Sequence, residues 1–199
     1  MKKLKVLVLC DSPMPLSGDH DFTEELKKED WKTEANVVST LKELEHEVRI
    51  LGVYNDATSI VEEIKNHPPD VVFNLVEQFK NLPHYERNIA ALLELLGVPY
   101  TGCDAPSLML CKNKAITKKI LTYHRIKVPD FATFVCGKPI KRPKRLHFPI
   151  FIKPLRDQGS YGIAQASLVE NDADFVDRIR FIHERLNQDA IAEGYIEGR

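Results

Sequence analysis

Long apolar runs are missing from this 199-residue chain. The most apolar stretch near the start, "LKVLVLC", is far too short for a membrane span or for the hydrophobic region of a secretory signal, so a cytoplasmic protein is expected. An excess of either charge is missing too. Lys and Arg total 28 against 29 Asp and Glu, which removes any electrostatic case for nucleic acid or an acidic membrane surface and makes any basic site local. Cysteine is scarce and scattered: Cys10, Cys103, Cys111 and Cys136 form no CxxC pair and have no histidine at ligand spacing, so neither a zinc site nor a disulfide framework is suggested. The seven histidines are equally dispersed, the pattern of surface or hydrogen-bonded residues rather than of metal ligands. Finally, no GxGxxG follows the first apolar run, where a dinucleotide-binding fold carries its phosphate-binding glycines. The segment "DSPMPLSGDHDFTEELKKEDWK" stands there instead, a long polar insertion.

What is present alternates strand and helix. "LKVLVLC" reads as a strand covered on both faces of a parallel sheet. A helix is predicted from about Thr33 to Glu45, because Val37, Val38, Leu41 and Leu44 recur at helical spacing. "HEVRILGV" follows as a second strand and "TSIVEEIKN" as a second helix, with Ser59 and Glu62 spaced as a capping box. After the prolines of "NHPPD" come a third strand, "VVFNLV", a helix, "NIAALLELLG", closed by Gly97, and a short fourth strand, "VPYTG". The alternation argues for an open parallel sheet with right-handed crossovers.

The second half changes character. Asp104 is placed to cap a short helix, and Asn113 to His124 reads as a helix whose apolar set is Ala115, Ile116, Ile120 and Leu121. "FATFVC" is a strand and "GKPIKRPKRLHF" a basic loop broken by proline; "PIFIK" and "GIAQASLV" make a hairpin. Asn171 opens a helix with Phe175, Ile179, Ile182 and Leu186 on one face, before a last strand, "DAIAEGYI". An antiparallel α+β unit is expected.

Lys153 ends the apolar run "PIFIK", and a loop with two glycines follows it at once. The residues alone allow two readings. Gly159 and Gly162 can serve only to turn the chain, with Lys153 reaching out to water from a strand end. Equally, amides of a Gly/Ser loop can converge on a phosphate that the adjoining lysine neutralises.

Strand, lysine, proline, Gly/Ser loop, helix and then "AIAEGYIEG" come in the order found in the ATP-grasp superfamily. The chain resembles D-alanine:D-alanine ligase and related carboxylate–amine ligases of that superfamily from "LLELLGVPYTG" through "LMLCKNKAITKKIL" and "FPIFIKPLRDQGSYGIAQASLVEN" to "IAEGYIEGR". The first half matches in the order of strands and helices. The resemblance implies an α/β fold: an N-terminal open parallel sheet of the Rossmann-like, pre-ATP-grasp kind over 1–104, then the small α+β ATP-grasp subdomain with an antiparallel sheet over 105–199. It implies that Lys114 and Lys153 reach the phosphates of ATP. Gly159, Ser160, Tyr161 and Gly162 fall on the flexible loop that closes over the triphosphate, a lid suited to keeping water from a reactive intermediate. Glu193 falls on the carboxylate that receives the adenine amino group, with the backbone near Tyr195 and Ile196 completing the adenine edge. Without the resemblance, Lys114 would read as part of a solvated helix face with Lys112, Lys118 and Lys119, and Glu193 as an exposed strand carboxylate.

The sequence departs from the family where the amine substrate is oriented, since the insertion from Asp11 to Lys32 replaces the acidic, serine-containing motif after the first strand. Asn74 and Glu77, at strand ends facing the crevice, are candidates for substrate contact. The sequence stops at Gly198–Arg199, before the acidic residue that holds the ribose and before the large subdomain that carries the magnesium ligands. The chain is therefore expected to be the N-terminal part of a longer ligase that joins a small carboxylate to an amine through an acyl phosphate, inactive alone, with Mg2+ bound by residues downstream; a natural stop codon after Arg199 refutes this. No catalytic residue is assigned, and a homodimer stays open. The alternative is a nucleotide-binding or interaction module that has lost ligation, with Trp31 and "FTEELKKEDWK" as a docking element.

Overall fold

Helices cover both sides of the first strand, which is why its apolar run is continuous. In the computed structural model, which describes residues 2–17, 19–156 and 160–198, β1 (Lys5–Asp11) is central to a parallel sheet, flanked by β2 (Glu47–Val53) and β3 (Val71–Asn74). α1 (Lys32–Glu43) brings Val38 and Leu41 against Val6 and Val8. On the other face α2 (Thr58–Asn66) and α3 (Glu86–Leu95) bring Ile60, Ile64, Ile89 and Leu93 against Leu7 and Leu9. Each fully buried side chain of this size stabilises by about 1.5–3 kcal/mol relative to exposure.

Local details differ from the sequence expectations for identifiable reasons. α1 begins and ends slightly earlier than predicted, because the chain turns out of the helix at Leu44, which is exposed. Ser59 and Glu62 form no capping box: Ser59 lies inside α2, and the Asp56 carboxylate accepts the Thr58 amide at 2.8 Å in its place. "VPYTG" makes a single parallel bridge, Val72 to Tyr100, because the next amide along that edge, Asn74 N–H, is taken by Thr101 Oγ1 rather than by a backbone carbonyl. The polar insertion is folded down by one ring. Phe22 is 4% exposed, stacks edge-on with His20 and lies 5.8 Å from Trp31, and a Cβ at Gly52 would come within 3.1 Å of it.

The chain divides into two units, Met1–Leu108 and Met109–Arg199, with the division inside α4 (Ala105–Cys111). Asp104 caps α4, accepting the Ser107 amide at 2.9 Å. In the second unit α5 (Lys114–Tyr123) is capped by Asn113, which accepts the Ile116 amide at 3.2 Å. β4 (Phe131–Phe134), β5 (Ile150–Pro154), β6 (Leu168–Val169) and β7 (Ala190–Gly194) form an antiparallel sheet in the order β4-β7-β5-β6. The hairpin from "PIFIK" exists, but its return arm is only Leu168–Val169, because Gln165–Ser167 is a helical turn. α6 (Asp172–Leu186), capped by Asn171, lays Phe175, Ile179 and Ile182 against Ile150, Ile152, Ala190 and Ala192. The helix α5 buries Ala115 as expected, whereas Ile116 and Ile120 are exposed, at 38% and 39%. Its inner face carries Lys118 instead, whose amine pairs with the Glu193 carboxylate.

Candidate functional site

Strand alternation sends Ile150 and Ile152 toward α6 and Phe151 and Lys153 to the opposite face. Across that face β7 presents Glu193 opposite Phe151 and opposite Phe131, and Ile191 opposite Lys153. Glu193 is 7% exposed, too buried to stay charged without compensation. Two amines supply it: Lys153 Nζ is 3.2 Å from Oε1, and Lys118 Nζ is 3.3 Å from Oε2. The Lys153 contact is an ion pair by distance but is not aligned as a hydrogen bond, so among the described residues Oε1 is a buried acceptor with no aligned donor. Lys118 also lies over the Phe131 ring, 5.9 Å from its centroid.

Lys114 is docked at the end of β5. Its Nζ donates to the carbonyls of Pro154 at 3.0 Å and Leu155 at 3.4 Å, so the amine is held next to Lys153 in sequence and at the same strand end. The structure thus brings Lys114, Lys153 and Glu193 to one end of one sheet face. Lys118, absent from the sequence-derived site, joins them. It lies four residues after Lys114, hence on the same helical face, but nothing in the sequence marks that face as turned toward Glu193.

The loop after Lys153 returns through Ser160, Tyr161 and Gly162; Gly159 lies outside the described residues. Ser160 has φ +61 and Gly162 φ +70. Glycine is required at 162 on two counts, since a Cβ there would also meet Leu186 Cδ1 at 2.6 Å and Pro154 Cγ at 2.9 Å. Buried Arg178 ties this return down, donating from Nη2 to the Gly162 carbonyl and, at 3.0 Å, to Ser167 Oγ. Burial lowers the Arg178 pKa. Tyr161 is 63% exposed. Beyond β7 the Tyr195 amide donates to the Pro149 carbonyl at 3.0 Å, and Tyr195 and Ile196 are exposed.

The first unit carries the substrate candidates at the carboxyl ends of its strands. The Asn74 backbone N–H donates to Thr101 Oγ1 at 3.1 Å and its side-chain Oδ1 accepts the Val76 amide at 3.3 Å, so its side chain shapes the loop it begins. Asp11, at the end of β1, accepts the amides of Glu77 at 3.3 Å and Gln78 at 3.4 Å. Burial is the main reason its pKa rises from 3.8 to about 6, with Glu77 and Glu34 adding repulsion and the two amides opposing. The folded state therefore holds this proton more tightly than the unfolded chain, so the group's contribution to stability is full below about pH 4 and is lost as pH rises to about 6. Asp11→Asn should flatten that part of the stability–pH curve, as read from thermal melts across the window. Sequence reading passed over Asp11 because nothing in the sequence marks a strand-end carboxylate as buried.

Among the described residues no group of three or more His, Cys, Asp and Glu is arranged to hold a metal ion, and no helix is long and apolar enough to cross a membrane. What the described residues assemble there is a buried carboxylate with two largely buried amines beside it, on the sheet face turned away from α6.

No family model matches the chain. Its sequence is 29% identical over 171 residues to the uncharacterised protein y4sG of Sinorhizobium fredii, spanning 82% of this chain and 48% of that protein. It is 29% identical over 168 residues to a D-alanine–D-alanine ligase of Aquifex aeolicus, spanning 84% of this chain and 54% of the ligase. The chain thus spans about half the length of these curated relatives. The crystal structure of D-alanine–D-alanine ligase from Bacillus anthracis complexed with ATP superposes with a TM-score of 0.72 at 20% identity, over 98% of this chain and 60% of that one. The two sheets, one parallel and one antiparallel, are the fold of the corresponding part of that ATP-grasp enzyme. The sequence and structural neighbours of this chain are D-alanine–D-alanine ligases, matched over most of its length.

Proposed function

We propose that the chain forms the nucleotide-binding part of an ATP-dependent carboxylate–amine ligase, with 1–104 as the domain preceding the ATP-grasp fold and 105–199 as its small subdomain. One observation carries this reading: a buried glutamate oxygen, with no aligned donor among the described residues, sits beside a strand-end lysine on the sheet face turned away from α6. Glu193 accepts an adenine N–H, and the backbone near Tyr195 and Ile196 completes the adenine edge. Lys153 and Lys114 place positive charge against the phosphate oxygens. Charge spreads over those oxygens during phosphoryl transfer, and cations fixed in a partly dry site stabilise it without reorganising. The return through Ser160, Tyr161 and Gly162, rooted by Arg178, serves as one hinge of a covering loop that excludes water.

ATP supplies the phosphoryl group that activates a carboxylate as an acyl phosphate for attack by an amine. Magnesium is expected with it, as the counter-ion of the triphosphate. Asn74 and Glu77 are assigned to the substrate side. The compartment that fits is the cytoplasm, where ATP is plentiful. The test is calorimetric titration of the full-length protein with ATP, followed by phosphate release on adding D-alanine or other small amino acids. ATP binding with amino-acid-dependent phosphate release is expected. Binding without release leaves a nucleotide-binding module, and no binding overturns the reading.

A further inference from the structure

Two lysines share one buried carboxylate, and only one of them ends the strand where phosphates are expected. Lys118 Nζ sits 3.3 Å from Glu193 Oε2 with its side chain 14% exposed, while Lys153 Nζ sits 3.2 Å from Oε1 with its side chain 22% exposed. If Lys153 were the sole counter-ion, turning its amine to a phosphate would strand a buried anion, which is strongly unfavourable. Lys118 removes that obstacle. It reaches Glu193 from α5 rather than from the strands, and the Phe131 ring 5.9 Å from its amine adds a cation–π contact on that side. Lys114, the other lysine on this helical face, is held at the Pro154 and Leu155 carbonyls and so is committed to the end of β5.

We propose that Lys118 is a positioning residue: it keeps Glu193 neutralised, and so lets the Lys153 amine leave that carboxylate for an incoming phosphate oxygen. The inference rests on the nucleotide reading above and adds an exchange of partners within it. A net surplus of one positive charge, from two lysines against one glutamate, is what allows the exchange.

Inorganic tripolyphosphate is the probe, because it lacks the adenine that Glu193 itself contacts. In calorimetric titrations of the full-length protein, Lys118→Gln should weaken tripolyphosphate binding roughly tenfold, the scale of one charge-assisted contact. Adding Glu193→Gln to that variant should restore affinity to within about threefold of the parent, since the carboxylate no longer claims Lys153. Lys118→Arg, which keeps the charge, should bind like the parent. Unchanged binding by Lys118→Gln, failure of the second substitution to restore it, or equal weakening by Arg and Gln each overturns the exchange. A parent that binds neither ATP nor tripolyphosphate removes the nucleotide reading and the exchange together; a parent that binds both while Lys118→Gln matches it removes the exchange alone.

Discussion

Replacing Lys153 with Ala should weaken ATP binding to the full-length protein by about 1–3 kcal/mol, roughly fivefold to 150-fold, the worth of a charge-assisted contact. The amine sits at the end of β5 with its side chain 22% exposed, so salt screens it less than a surface lysine. The fold should survive, because Glu193 keeps Lys118 as its counter-ion at 3.3 Å. Calorimetric titration beside a thermal melt separates the two effects. Unaltered nucleotide affinity in the variant contradicts the role given to this lysine.

Phe175→Ala should destabilise the second unit by about 3–5 kcal/mol, the usual loss for truncating a fully buried aromatic ring. Phe175 is 0% exposed and meets Phe134 edge-to-face, with ring centroids 5.3 Å apart at 81°. It packs α6 onto the sheet whose opposite face carries Lys153 and Glu193, so nucleotide affinity should fall with stability although Phe175 lies on the side away from the site. Denaturant unfolding checks the first effect and titration the second. A loss below about 1 kcal/mol means that the core repacks around the gap.

Much of this architecture is legible in the sequence where one local rule decides. The run "KVLVLCD" announces a strand covered on both sides, and Asn113 and Asn171 announce helix starts that the structure confirms by their amide contacts at 3.2 and 3.0 Å. Rules fail where a distant group decides. Lys118 reads as one more solvated lysine because its partner, Glu193, is brought to it only by β7. For the same reason Ile116 and Ile120 read as core: helical spacing finds an apolar face, but the inner side of α5 is claimed by Ala115 and the two lysines. "VPYTG" has strand composition and becomes a bridge at Tyr100. Arg178 carries no sequence signal at all, since the carbonyl it holds belongs to the loop return at Gly162.

The central claim is that β5 and β7 present one lysine and one buried glutamate to the two ends of a nucleotide. A crystal structure of the full-length protein with a non-hydrolysable ATP analogue tests it most directly. The account predicts the adenine amino group on Glu193 and phosphate oxygens within hydrogen-bond reach of Lys153. An analogue bound elsewhere, with Lys153 still paired to Glu193, contradicts it.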